Sequence, residues 1–180
     1  MVLPIGPLMI EHRLIERMID VIAKEIIRIE KELRVDPSFI DTVVDFIRIY
    51  ADKCHHGKEE DILFRELEKK DLKKVDRKVM EELIEEHKRG RKVTRDLHTA
   101  KTLYLDGNQT ALANIIYLLK ELIEFYPKHI EKEDNVFFKP SMYYFTEEEK
   151  EAMLQEEYEF DRNFIHQVYD EIVSEAEKKD

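Results

Sequence analysis

Six polar residues lie where the helical pattern of the sequence calls for apolar side chains. They are four histidines and two glutamates: His12, His56, Glu60, His87, His129 and Glu133. Burying a carboxylate without a partner is costly, so six such residues in one core need a common explanation. Imidazole nitrogen and carboxylate oxygen together suit iron, manganese or zinc. The pattern therefore predicts that these residues are metal ligands.

The spacing arranges four of these residues in two pairs. His56 and Glu60 are four residues apart, as are His129 and Glu133, and both stretches read H-x-x-x-E-D-x-[LV]-F. Residues four apart lie one turn apart on the same helix face, so each pair can bind one ion. The other two histidines follow a shorter shared pattern, Glu-His and then a basic residue. The chain thus reads as two similar helical hairpins.

Helix-breaking residues divide the chain into amphipathic segments whose apolar residues recur at steps of three and four. Asp36 before Pro37, the turn at 106–108, and Thr146 with Glu149 mark helix ends. The sequence predicts an all-α fold, an up-down-up-down four-helix bundle with an additional C-terminal helix. We expect one domain over residues 1–180, with the metal-binding bundle at about 8–140 and the C-terminal helix at about 146–177.

Chain lengths between the turns place the predicted ligands at one level of this bundle. His12 and His56 lie about 23 and 21 residues from a turn at residue 35, and His87 and His129 about 20 and 22 from residue 107. At about 1.5 Å per residue, each pair is level to within one helical turn. Glu60 and Glu133 are then the predicted bridges of a two-metal centre, with positions left open for water, O2, NO or peroxide.

Composition limits the partners. The 180 residues include 30 basic and 41 acidic ones, for a net charge of −11, which argues against binding to nucleic acid. We expect no membrane partner, because no apolar stretch approaches the roughly 20 residues of a spanning helix. The single cysteine, Cys54, fits a reducing compartment, so a cytoplasmic location is expected.

Three stretches of the sequence resemble the hemerythrin-like, or HHE cation-binding, family over roughly residues 9–140. They are His55-His56-Gly-Lys-Glu-Glu60-Asp61-Ile-Leu-Phe, Glu86-His87-Lys-Arg-Gly90-Arg91 and His129-Ile-Glu-Lys-Glu133-Asp134-Asn-Val-Phe-Phe. The resemblance implies a non-haem centre of two iron ions that binds O2 or related molecules, with zinc or manganese as possible substitutes. Members act as oxygen carriers, as sensors, or as proteins that handle nitric oxide or repair iron centres.

One position departs from the oxygen carriers of this family. The carriers have a second histidine four residues after the one on the third helix, where this chain has Arg91. The resemblance therefore favours the four-histidine, two-glutamate members, acting as sensor, detoxifier or iron-centre repair factor. Asp134 matches the spacing of the carriers' bridging aspartate and is an alternative to Glu133. Oxygen storage or carriage is an alternative, as is an oxidoreductase that turns over NO or peroxide with an external electron donor; a protein partner is also possible.

Five further residues are not assigned to the metal site. His55 follows the pattern of a surface residue, because it projects about 100° away from its ligand neighbour on an α-helix. His98 lies too far along its helix to join the site and is expected in the core or at its boundary, and His166 lacks a carboxylate at ligand spacing except Asp170. Tyr126 is assigned to packing, with hydrogen-bond donation to a ligand as the alternative, and Glu16 ranks third among the carboxylates.

Overall fold

A computed structural model describes residues 2–177, with the backbone alone described for Gln167 and residues 169–177. Residues 1 and 178–180 of the predicted domain lie outside this description. Helices α1 (Ile5–Glu32), α3 (Lys74–Leu105) and α5 (Glu147–Glu177) are regular, and the described residues form no strand. The all-α prediction, with an additional C-terminal helix, is confirmed.

The other two long helices combine α-helical and wider π-helical turns. Helix α2 runs over 37–68 and includes the π-helical stretches Phe46–His56 and Glu59–Phe64. Helix α4 runs over 111–141 and includes the π-helical stretch Glu133–Phe137. Such turns are frequently found at functional sites. All three stretches lie at the level of the predicted ligands or directly beside it.

Local signals at the helix ends explain the boundaries. The Asp36 carboxylate accepts a hydrogen bond from the Ser38 amide at 2.9 Å and caps α2. Thr146 and Glu149 exchange backbone and side-chain hydrogen bonds at the start of α5, as a capping box does. Gly107 takes the positive φ of 81° that the turn between α3 and α4 requires. These caps were predicted from the sequence and are confirmed.

The first four helices pack into a bundle in which α1 and α3 each contact both α2 and α4, while α5 lies against the π-helical part of α2. The apolar core of the bundle has two parts. One part, which includes Ile15, Ala51 and Val93, lies toward the turns at 33–36 and 106–110. The other, which includes Leu8 and Leu83, lies at the opposite end. The predicted ligands lie between these two parts, so the bundle contains one polar layer between two apolar layers.

Helix α5 buries a charged group on one side of this layer. Lys58 is fully buried, and its ammonium donates to the carboxylates of Glu11 and of Asp161, which α5 supplies. Glu157, also on α5, is buried with neither carboxyl oxygen hydrogen bonded. Burial raises the pKa of Glu157 to about 8. Glu157 is therefore protonated over much of the range below that pH.

None of the helices in the described part of the chain is long and apolar enough to cross a lipid bilayer.

Replacing Glu157 by glutamine tests this assignment. The raised pKa makes the folded parent lose stability as pH rises from the ordinary carboxyl value toward about 8, because folding then retains a proton that the unfolded chain releases. Glutamine carries no such proton. Between pH 5 and 8 we expect Glu157→Gln to gain about 1–3 kcal/mol relative to the parent. Thermal or urea unfolding at each pH measures this gain.

Glu151→Gln is the matched control, because Glu151 is exposed on the same helix. Its difference from the parent should stay constant over the same pH range. An equal pH dependence for the two variants would contradict the burial argument.

Candidate metal centre

The π-helical turns bring two adjacent histidines of α2 to the same side. In an α-helix, neighbours are separated by about 100°. The wider turn reduces that angle, and Phe46–His56 forms such turns. His55 and His56 are both buried, at 1% and 2% exposure. The sequence had indicated a surface position for His55. That prediction is wrong, because the structure places His55 in the core.

Seven buried side chains converge in the polar layer. One group comprises His56, His87 and His129, and the other comprises His12, His55, Glu59 and Glu133. Within each group, the nitrogen and oxygen atoms lie within 4.8 Å of one another. Five of the six residues predicted from the sequence are brought together here. The sixth, Glu60, is not, and Glu59 lies in the layer instead.

The two buried carboxylates contact both groups. Glu133 lies 3.1 Å from Nε2 of His12 and 3.2 Å from Nε2 of His129. Glu59 lies 3.5 Å from Nε2 of His55 and 3.3 Å from Nε2 of His87. Each carboxylate thus lies between a histidine of one group and a histidine of the other.

The inward-facing atoms are the ones that lack hydrogen bonds. Among the described side chains, the Nε2 atoms of all five histidines and all four oxygens of Glu59 and Glu133 are buried without a hydrogen-bond partner. The contacts between them are close but do not have hydrogen-bond geometry. Leaving one buried polar group unpaired costs about 1–3 kcal/mol, so nine together require a ligand of their own. All nine are atom types that bind divalent metals.

The outward-facing nitrogens are all paired with carboxylates. Every one of the five rings has a carboxylate oxygen within hydrogen-bond distance of its Nδ1. The partners are Asp134 for His12, Glu11 for His55, Asp52 for His56, Glu60 for His87 and Glu86 for His129, at 2.8, 2.9, 3.4, 2.6 and 2.8 Å. Metal-binding histidines almost always make this bond, which fixes the ring and turns Nε2 toward the metal.

Glu60 and Asp134 belong to this outer set. Glu60 accepts hydrogen bonds from His87 and from Arg91, both within 2.7 Å, and Asp134 accepts from His12 and Arg13. Their oxygens are engaged by these donors and do not join the inner groups. The competition foreseen between Asp134 and Glu133 therefore has a spatial answer, since Glu133 faces inward and Asp134 outward.

A shift of one residue in the sequence comparison identifies the inward glutamate. Aligning His55 with His129 gives H-x-x-K-E-[ED], in which Glu59 matches Glu133. The matched lysines behave alike, since Lys58 donates to Glu11 and Lys132 donates to Glu86. The sequence prediction aligned His56 instead and so selected Glu60. The shared lysine was the signal that could have corrected the register.

His56 has no counterpart in the second hairpin, where the aligned residue is Ile130. Its ring stacks on that of His87, with ring centroids 3.8 Å apart. Arg91 donates to Asp52 at 2.7 Å, and Asp52 in turn lies next to His56. The arginine that replaces the carriers' histidine therefore acts on the site through Asp52 and Glu60, while His56 supplies the fifth imidazole.

The pKa values of the histidines in the site are shifted in opposite directions. Burial alone lowers the pKa of His12, but contacts with Asp134 and Glu133 outweigh it and raise the value to about 10. Burial is likewise outweighed at His87, whose pKa is raised well above its usual range by its carboxylate neighbours. Burial and the nearby histidines lower the pKa of His56 well below its usual range. Without a cation, protons on His12 and His87 balance the two buried carboxylates, and a bound metal would displace them.

The remaining residues from the sequence analysis lie outside the layer. His98 is exposed, so the prediction that it lies in the core or at its boundary is wrong. His166 is also exposed, and Glu16 pairs with Arg13 at 3.0 Å. Tyr126 is buried directly beside the layer, as its assignment to packing predicted, but its hydroxyl has no hydrogen-bond partner among the described residues.

A helical bundle with buried histidines and carboxylates between two apolar layers defines a class of cation-binding proteins. Residues 3–140 match the family described as Hemerythrin HHE cation binding domain, and the chain belongs to this family. The resemblance inferred from the sequence is thereby confirmed. Comparison with curated proteins and with solved structures found no match.

The roles of the adjacent glutamates can be separated by matched substitutions. We expect Glu59→Gln to lower the bound metal by at least one ion per chain, because it removes an inner donor. Glu60→Gln should keep the full metal content and weaken affinity by about 10–100-fold, because it only loosens the His87 ring. Metal analysis after iron loading, followed by titration against a chelator, measures both. Full metal content in Glu59→Gln together with loss in Glu60→Gln would overturn the assignment.

Proposed function

We propose that this protein is a non-haem di-iron protein that binds a small diatomic ligand, O2 or NO, in the cytoplasm. The supporting observation is the set of nine inward donor atoms without hydrogen bonds, each histidine among them held by a carboxylate on its other nitrogen. A structural bundle without metal would leave these atoms unsatisfied in a dry core. Nitrogen and oxygen donors without a thiolate favour iron, with manganese or zinc as substitutes.

The proposed ligands follow the two groups. We assign His56, His87 and His129 to one ion, His12 and His55 to the other, and Glu59 and Glu133 to both. This set keeps five of the residues chosen from the sequence, replaces Glu60 by Glu59 and adds His55. When bound, the two iron ions supply electrons and open positions for O2, NO or peroxide.

The protein's own residues prepare this site in two ways. The outer carboxylates fix the orientation of the rings, and the hydrogen bonds from His55 and His129 outweigh burial to lower the pKa of Glu11 and Glu86. These two carboxylates are therefore ionised and keep a proton on Nδ1 of their histidines. The apolar layers above and below exclude bulk water from most of the site.

We further propose a role as sensor, detoxifier or iron-centre repair factor. Reversible carriage requires the site to be closed to water and anions, which promote side reactions. Here a cavity of about 500 Å³ reaches His56 and is lined by three arginines. Such an opening favours reaction at the centre over protected storage. An oxidoreductase that turns over NO or peroxide with an external electron donor would use the same opening.

Oxygen storage or carriage is the second candidate, and one observation favours it. The sequence argument against carriage rested on Arg91 in place of a histidine. The structure brings His56 to His87 and His129, so a group of three histidines faces a group with two. This asymmetry is what the missing histidine would have provided.

Anaerobic loading with ferrous iron followed by mixing with O2 or NO tests the proposal. We expect about two iron ions per chain and an absorption change with each gas. With O2, we expect oxidation without a long-lived oxygenated state. An adduct that releases O2 under vacuum through many cycles would establish carriage instead. Absence of iron binding, with the fold intact, would refute the di-iron assignment.

Steady turnover of NO or peroxide with an added reductant separates the enzyme from the sensor. His166→Gln is a suitable control in all these measurements, because His166 is exposed and lies outside both the inner groups and the cavity.

A further inference from the structure

A cavity of about 500 Å³ lies between α2 and α3, with α4 at its floor. Its inner end is formed by His56, Gly90 and Tyr126, and its outer part includes Arg48 and Arg95. Arg48 precedes His56 by eight residues, about two turns along the π-helical part of α2. The cavity therefore leads from an exposed rim to the edge of the polar layer.

The size of this cavity exceeds what a diatomic ligand needs. A water molecule, similar in size to O2 or NO, takes about 30 Å³ of liquid volume. Cavities of roughly 300–1,000 Å³ are typical of sites for small organic molecules. The cavity is therefore large enough for a small organic molecule.

The rim is positively charged in a chain whose net charge is −11. Three arginines line the cavity, and Asp52 is its single carboxylate. Arg91 is already paired with Asp52 and Glu60. Neither Arg48 nor Arg95 forms an ion pair with any side chain in the described part of the molecule. Two unpaired guanidinium groups at one rim suit a carboxylate, which arginine binds through paired hydrogen bonds.

The floor of the cavity includes a buried hydroxyl group that has no hydrogen-bond partner in the described part of the chain. Tyr126 is 1% exposed, and its hydroxyl has no hydrogen-bond partner among the described residues. Burial raises the pKa of Tyr126, so the hydroxyl keeps its proton and can donate. Gly90 leaves room beside it, because a Cβ there would lie 3.9 Å from the hydroxyl oxygen. Val44 and Ile47 supply apolar surface between floor and rim.

We propose that this cavity binds a small organic carboxylate that carries an oxygen acceptor at its other end. The carboxylate lies at Arg48 and Arg95, the hydrocarbon body along Val44 and Ile47, and the acceptor oxygen at the hydroxyl of Tyr126. The buried end of the ligand then lies beside His56. Binding goes beyond the proposed function and does not depend on it, because none of the residues that would hold the ligand is a proposed ligand of iron.

The probe is 8-hydroxyoctanoate, which carries a carboxylate at one end and a hydroxyl oxygen at the other end of a flexible chain of eight carbons. We expect calorimetric titration of the protein to show one site. Two comparison probes each lack one end: octanoate has no distal hydroxyl, and octane-1,8-diol has no carboxylate. Both should bind at least about tenfold more weakly, because each leaves a polar group of the cavity unpaired.

Three variants locate the site. Arg48→Gln with Arg95→Gln should weaken 8-hydroxyoctanoate by about tenfold or more, through loss of charge-assisted hydrogen bonds. Arg17→Gln with Arg77→Gln removes the same charge from exposed positions outside the cavity and should change nothing. Tyr126→Phe should weaken 8-hydroxyoctanoate and leave octanoate unchanged. Circular dichroism checks that each variant keeps its helix content.

Three results would overturn the proposal. They are no saturable binding up to millimolar concentration, equal weakening by the two double-arginine variants, and equal affinity for octane-1,8-diol and 8-hydroxyoctanoate. The titration is repeated with iron-free and iron-loaded protein. If the protein binds the carboxylate but takes up no iron, the di-iron function alone is rejected. If it takes up iron but binds no carboxylate, this site alone is rejected.

Discussion

Two fully buried carboxylates in the polar layer are the constraint on which the rest of the structure depends. Glu59 and Glu133 are fully buried, and neither has a hydrogen-bond partner among the described residues. Charged groups in such surroundings persist only when opposite charge lies close by. In the cation-free state, protons on His12 and His87 meet this requirement, and the family's affinity for cations is the other way to meet it. The helices bring residues from four positions of the chain to one level for this reason.

A second ring of carboxylates transmits this constraint to the protein surface. Each imidazole lies between an inner donor set and an outer acid, and several outer acids are themselves held by basic residues, as Glu86 is by Lys132. The orientation of a ring therefore depends also on the basic residue that is hydrogen bonded to its outer carboxylate. The donor geometry is determined by a network that includes half-exposed side chains, and not by the apolar core alone.

The sequence was sufficient for much of this arrangement and insufficient for one part. Helix caps at Asp36 and Thr146 and the level of His12, His87 and His129 followed from periodicity and loop length, because α-helices have regular rise and rotation. The error arose in α2, where regularity fails. A π-helical turn rotates the chain less per residue, so His55 faces inward beside His56, and the inward carboxylate moves from Glu60 to Glu59. Single-sequence periodicity assumes one helix type and cannot register such a change.

The fifth helix makes the two halves of the bundle unequal. Lys58 and Lys132 occupy matched places, each bonded to the acid that orients a histidine, yet α5 covers only the first. Dissolved salt weakens ion pairs that are exposed to solvent, and it weakens buried pairs much less. Rising ionic strength therefore weakens the ion pair of Lys132 with Glu86, which orients His129, while the ion pair of Lys58 with Glu11, which orients His55, persists. The hairpin that carries His55 is therefore shielded from dissolved salt, whereas the hairpin that carries His129 is open to it.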